Sequence, residues 1–413
     1  MIEFQRYKLK NGLTVILHPE PGSKLAIVNV LYRAGSIYED PGLTGLAHLF
    51  EHMMFAGTRA VPDFDVPIQR AGGENNAYTA NDYANYYTYG PPDNLSLLLW
   101  LEADRMHSLT LEQEELTVQK KVVVEEFYET CLDEPYGDFW HFLCKLAYKE
   151  HPYQWPVIGA EPAHIAAIQR KDIVSWYRRY YSPSNAILCI GGDFNEVKIR
   201  HQIEQTFGAL KGIGKRRALP DFQEPAQLQA RSKVIYRDVP ADAFYLAYRI
   251  PSRIEPEFYT ADIITDILAT GASSLLQERL VKKQQLLFSV DAYTNDVAGP
   301  GLLIIEGKCY EGTDPKEAVK AVKAILDELK QIRVETHVVE KAVHKTLTTI
   351  EFSEYSTLNK AINLAYYEYL GDITLINRET EIYNQITPEQ IQRTAAKIFR
   401  TNQSNLLFYL KKR

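Results

Sequence analysis

A chain of 413 residues, 46% hydrophobic and 24% charged, is too long for one compact core and predicts two or three globular domains. Its formal net charge of -7 argues against nucleic acid or an anionic membrane as a main partner. Residues 1–7 lack the apolar core of a signal peptide, no run of 18 apolar residues follows, and Cys131, Cys144, Cys189 and Cys309 show no paired spacing. A cytoplasmic location is expected, or a periplasmic one if a leader has been removed.

Asn11-Gly12 is a tight-turn signal ahead of the strand-like run Leu13 to Leu17, and a second β-rich run spans Leu25 to Tyr32. After Pro41-Gly42, the segment Gly45 to Phe55 reads as a helix that Gly57 closes. Residues 63–70 predict a short helix, Asn76 to Thr79 and Tyr83 to Tyr89 predict strands, and 94–106 and 112–130 predict helices. Helices at 136–148 and 170–180, a buried strand at 186–190 and a helix at 195–207 complete the first half. Residues 212–231, with Gly212, Gly214, Lys215-Arg216-Arg217, Pro220 and Pro225, read as a linker. Beyond it come strands at 233–238 and 243–250, a helix at 258–283, and strands at 286–294 and 301–309. Helices at 315–331, 335–371 and 388–399 precede a final strand at 405–410.

The halves echo one another. Ile168-Gln169-Arg170-Lys171-Asp172-Ile173 with Asn185-Ala186-Ile187-Leu188 corresponds to Ile386-Thr387-Pro388-Glu389-Gln390-Ile391 with Asn405-Leu406-Leu407-Phe408. The expected fold is therefore α+β, with two similar domains, each a mostly antiparallel sheet packed with helices. Their expected bounds are 1–211 and 232–413, joined by the linker 212–231.

Chemistry concentrates at His48-Leu49-Phe50-Glu51-His52. Histidines four apart share one helix face, and Glu51 borders it. The flanking Leu46, Leu49, Phe50, Met53 and Phe55 make the segment largely apolar, and ionisable groups there are costly unless partnered. A divalent cation removes that conflict. His-x-x-Glu-His is the inverted zincin pattern: two imidazole ligands and a carboxylate that acts as general base instead of ligating. The plain alternative is a helix with two half-exposed histidines and a surface glutamate. The second half carries no counterpart of this pattern.

Together with Asn76-Ala77-Tyr78-Thr79 and the later helix Val122-Val123-Val124-Glu125-Glu126, the motif resembles the pitrilysin/insulinase family, which includes the mitochondrial processing peptidases and shorter bacterial two-domain peptidases. The resemblance covers essentially the whole chain and implies one zinc ion per chain, held by His48, His52 and a glutamate aligned to Glu126. Glu125 and Glu129 stand as alternatives, since adjacent glutamates cannot face the same way and Glu129 lies one turn on. It further implies Glu51 as the catalytic base, and Asn76, Ala77, Tyr78 and Thr79 as an edge strand that pairs with an extended peptide. The implied activity is hydrolysis of short or unfolded peptides.

Members of the family that complete a site alone, or serve as helper subunit, carry an Arg and a Tyr seven apart in the second domain. Here Val281 and Phe288 stand at those places, with Arg279 nearby, and neither can donate a hydrogen bond to a developing oxyanion. The expectation is a zinc-bearing subunit working with a homologous partner that supplies the Arg/Tyr pair, or a homodimer. A non-catalytic scaffold or a peptide-binding subunit of the same fold is the alternative.

Overall fold

The computed structural model describes residues 1–212 and 222–412. It forms two compact units that do not follow the chain order. One unit comprises Met1–Phe127, the described part of Pro156–Asp221, and Glu351–Arg378; the other comprises Tyr128–Trp155, Phe222–Ile350 and Glu379–Arg413.

The first unit is built on strands β1 (Gln5–Lys8), β2 (Thr14–Pro19), β3 (Ala26–Tyr32), β4 (Glu74–Thr79), β5 (Ala84–Gly90) and β6 (Ala186–Gly192). They lie in the order β1-β2-β6-β3-β5-β4, and all neighbours run antiparallel except β2 and β6. Every residue of β3 and β6 is buried, which accounts for their unbroken apolar reading. β4 is one of the two outer strands, pairing with β5 from Glu74↔Tyr89 to Thr79↔Ala84.

The second unit holds β7 (Arg231–Arg237), β8 (Ala243–Ile250), β9 (Leu287–Thr294), β10 (Gly301–Cys309) and β11 (Asn405–Lys411). Their order is β7-β11-β8-β10-β9, and only β7 and β11 run parallel. Counting strands along the chain from β2 and from β7, both sheets have the connectivity first, fifth, second, fourth, third. Two helix-packed, mostly antiparallel sheets of matching topology agree with the α+β reading, and they strengthen the case for an internal repeat.

Two expected helices are interrupted. The span 258–283 divides into Pro256–Ala269 and a wider helical stretch Gln277–Lys283, because Gly271 adopts φ +85° between them. The span 335–371 divides into Thr336–Ser353 and Thr357–Leu370. Ser356 caps the second piece, its Oγ accepting from Asn359 N at 3.2 Å.

That second break matters for domain organisation. Helix Thr357–Leu370 packs in the first unit: Arg6 pairs with Glu368 at 2.7 Å, and buried Arg33 donates to Tyr369 O at 3.1 Å. Close approach to β6 depends on Gly191, where a Cβ would sit 3.3 Å from Thr357 Cγ2. In turn Phe139–Ala147 packs in the second unit, with Phe139 stacked on Tyr245 at 4.3 Å and Asp138 paired with Arg237 at 2.8 Å. The expected bounds 1–211 and 232–413 follow the chain order, whereas each compact unit takes one helix-bearing segment from the other half. Of the linker 212–231, residues 213–221 lie outside the described residues, and Arg231 already belongs to β7. Among the described residues, no helix is long and apolar enough to cross a membrane.

Candidate metal centre

Helix Leu46–Met53 buries Leu46, Ala47, Leu49, Phe50 and Met53. Period 3.6 then leaves His48, Glu51 and His52 together on the opposite, half-buried face. The helix starts at Gly45, with φ +87°, and a Cβ there would lie 2.8 Å from Ile158 O, so only glycine fits. No side chain caps from Gly45. Instead buried Glu39 reaches in from the preceding loop, its Oε1 accepting from Ala47 N at 2.8 Å. That carboxylate satisfies one of the free amides at the helix start and complements its positive end. Thr44 Oγ1 meets His164 Nδ1 at 2.8 Å and accepts from Ala160 N at 2.8 Å, fixing the entry loop.

Glu126 comes from helix Gln113–Phe127, which buries Leu116, Val123 and Phe127. Its Oε1 lies 3.7 Å from His48 Nε2 and its Oε2 lies 3.5 Å from His52 Nε2. One ligand atom from each of the three residues falls within 4.8 Å of the others. A tetrahedral zinc with bonds near 2.0 Å separates its ligand atoms by about 3.3 Å, so small side-chain rotations suffice and the donor set fits the ion. Glu125 and Glu129 are both exposed, and neither joins this cluster. The structure thus brings His48, His52 and Glu126 together.

Electrostatics favour the same occupant. Burial pushes His48 down to about 4, against the pull of Glu126, and its Nδ1 is buried without a hydrogen-bond partner among the described residues. A neutral imidazole is the ligating form. For His52 burial acts downward too, but hydrogen bonding and charge attraction from Glu126 outweigh it, and its pKa is raised. The hydrogen bond with His52 in turn holds Glu126 below the usual carboxylate range. A cation at this point would take over the role of the shared proton.

Glu51 stands beside this group without belonging to it. Burial raises its pKa above the ordinary carboxylate value, while a hydrogen bond from Thr79 opposes the rise. Thr79 Oγ1 donates to Glu51 Oε2 at 2.5 Å. Behind it the buried hydroxyls of Tyr86 and Tyr181 meet at 2.9 Å, and both feel the Glu51 charge.

The remaining expected residues lie on β4. Asn76 is exposed, and its Oδ1 accepts from Ala77 N at 2.8 Å. Alternation puts Ala77 and Thr79 on one face and Asn76 and Tyr78 on the other; the Tyr78 ring meets Tyr83 at 5.9 Å. In the second unit Val281 packs, partly buried, against the apolar core. Phe288 is exposed on β9 against Tyr310, and Arg279 is paired with Glu328.

Three contributors escaped the sequence reading. Gln119 contributes to the raised pKa of His52 and donates to Glu115 Oε1 at 2.7 Å; it precedes Glu126 by seven residues, two turns on the same face, so helical arithmetic could have found it. Glu39 acts through a loop and left no periodic signal. Thr79 was read only as part of the peptide strand, although the alternation rule turns its side chain away from Asn76.

Comparisons with known proteins identify the family. Residues 14–161 match the family profile described as insulinase (peptidase family M16), and residues 167–346 match the peptidase M16 inactive domain. The chain belongs to the insulinase, or M16, peptidase family. It is 28% identical over 405 residues to the zinc protease PqqE of Helicobacter pylori, covering 97% of this chain and 91% of that protein. It is 24% identical over 403 residues to the "uncharacterized zinc protease YmxG" of Bacillus subtilis, covering 96% and 95%. The crystal structure of a protease from Helicobacter pylori superposes with TM-score 0.93 at 28% identity, over 99% of this chain and 100% of that one.

Proposed function

We propose that this chain is a zinc metallopeptidase of the inverted His-x-x-Glu-His type, hydrolysing peptide bonds in short or unfolded peptides. The observation that carries the reading is the convergence of His48, His52 and Glu126 beside Glu51, a carboxylate whose pKa is raised by burial. In this reading residues 1–211 carry the catalytic repeat and 232–413 the non-catalytic one. His48 Nε2, His52 Nε2 and the Glu126 carboxylate hold one zinc ion. Bound zinc supplies a Lewis acid that polarises the scissile carbonyl and acidifies water.

The chain's own residues do the rest. Glu51 accepts a proton from the attacking water and returns it to the leaving amine. Its raised pKa brings it closer to the working pH and suits both halves of that transfer. β4, from Asn76 to Thr79, receives the peptide as an added strand, main chain to main chain, which requires an extended substrate and little sequence preference. The outer position of β4 and the exposure of Asn76 support this.

A homologous partner subunit completes the site with an Arg/Tyr pair, or a second copy of this chain associates with altered activity. The support is that Val281 and Phe288 stand where donors are expected and carry none. The test is to measure zinc content and cleavage of internally quenched, unstructured peptides, for the chain alone and with its co-purified homologue. Glu51→Gln should keep zinc and lose about 10²–10⁴-fold in turnover. A zinc-loaded complex that cleaves nothing, or a fully active Glu51→Gln, would overturn the reading. Full activity of the isolated monomer would overturn the partner requirement alone.

A further inference from the structure

Thr79 occupies a position that the peptide-strand role leaves unexplained. A strand that receives a peptide edge to edge uses its backbone, and side chains on its two faces are not consumed by the pairing. Thr79 is the last residue of β4, and its side chain points to the helix that carries Glu51. At 2.5 Å its hydroxyl makes a short, charge-assisted bond to Glu51 Oε2. Glu51 is largely enclosed, with the Tyr86–Tyr181 hydroxyl pair close enough to feel its charge. Its carboxylate therefore has a fixed direction, set chiefly by one residue of the substrate strand.

We infer that Thr79 is the positioning residue for the catalytic base: its hydroxyl holds Glu51 Oε2, so that the other carboxylate oxygen faces the water and the leaving amine. The inference rests on the metallopeptidase reading above. A carboxylate free to rotate about its terminal torsion spends only part of its time aimed at the proton it must take, and misdirection of a catalytic group is costly. The strand that receives the peptide and the base that acts on it are thereby joined at one residue. Substrate pairing along β4 and alignment of Glu51 share the same support.

The second unit supplies an internal control. Asp291-Ala292-Tyr293-Thr294 on β9 repeats Asn76-Ala77-Tyr78-Thr79 on β4, three residues in four, again on an outer strand. Asp291 Oδ1 accepts from Ala292 N at 2.8 Å, as Asn76 Oδ1 does from Ala77 N. Thr294 Oγ1 donates to Asp262 on helix Pro256–Ala269, at 3.3 Å. The strand-to-helix bond thus recurs in a unit where no zinc ligand set is found among the described residues, and its purely structural contribution can be measured there.

The experiment compares wild type, Thr79→Val, Thr79→Ser and Thr294→Val. Thr79→Val keeps shape and removes the hydroxyl. It should lower kcat about 10–100-fold, the usual effect of removing a partner that orients an active-site group. KM should stay within about twofold, bound zinc per chain should be unchanged, and Thr79→Ser should recover most of the rate. Thr294→Val should match Thr79→Val in thermal stability and leave kcat alone. A raised KM at unchanged kcat would return Thr79 to peptide binding only and overturn the inference. So would a loss of rate in both valine variants in step with their melting temperatures. Crystal structures of zinc-free wild type and Thr79→Val read the contact without activity. Glu51 should be ordered in the first and rotated or spread over rotamers in the second. An inactive wild type would defeat the metallopeptidase reading while these structures still decide the Thr79 contact; an unmoved Glu51 in Thr79→Val would overturn it.

Discussion

Removing Glu126 is the sharpest probe of the metal centre. In the proposed site it is one of three protein donors and carries the only formal negative charge among them, 3.5 Å and 3.7 Å from the two imidazoles. Four-ligand zinc sites in small proteins bind with about 10–16 kcal/mol, or about 2.5–4 kcal/mol for each ligand. At 1.4 kcal/mol per tenfold, Glu126→Ala should weaken zinc about 100–1,000-fold. Competition with a chromogenic zinc chelator at neutral pH measures this directly. Thermal or urea denaturation gives an independent reading. With free zinc held at about 100 times the wild-type Kd, the wild type gains about 2.7 kcal/mol and the variant about 0.4 kcal/mol or less. Glu125→Ala and Glu129→Ala should behave as wild type, because both side chains are exposed and outside the cluster. Wild-type affinity in Glu126→Ala would refute the reasoning, as would an equal loss in either neighbour.

Two further predictions concern stability. His151 is buried, its pKa pushed down to about 4 by burial, and its Nδ1 accepts from Tyr153 N at 3.2 Å. An unfolded histidine titrates near 6.5, so the unfolded state binds more protons between the two values. Stability from this residue is present above 6.5 and lost as pH falls toward 4, about 2 kcal/mol between pH 7 and pH 5. Urea titrations of wild type and His151→Asn should differ in that window, and parallel curves would exclude it. Arg105 is fully buried, pairs with buried Glu102 at 2.7 Å and lies over the rings of Phe64 and Tyr86 at 4.5 Å and 4.9 Å. Arg105→Met leaves Glu102, which also accepts from Thr88 at 2.6 Å, as an unpaired buried charge. A loss of about 3–5 kcal/mol is expected. Replacing both, as Glu102→Leu with Arg105→Met, should recover much of it in equilibrium unfolding.

The sequence by itself determined the local parts of this protein. Apolar residues at helical spacing fixed His48, Glu51 and His52 on one face. Asn11-Gly12, with φ +95° at Gly12, marked the turn between β1 and β2, and the strand spans at 243–250 and 301–309 matched β8 and β10. These features depend on residues within a few positions of one another, and periodicity records them directly.

Tertiary structure decided what lies across the chain. Periodicity left Glu125, Glu126 and Glu129 open, because the rotation of helix Gln113–Phe127 that turns Glu126 toward His48 is set by the burial of Leu116, Val123 and Phe127. The break at Ser356 and the passage of Thr357–Leu370 into the first unit turn on side-chain partners hundreds of residues away, among them Arg6 and Arg33. Glu39 at the helix start and Thr79 on Glu51 act through contacts eight and 28 residues apart. No local repeat encodes such pairs. They exist because packing two elements together leaves buried polar atoms, and each must find a partner where the fold puts one.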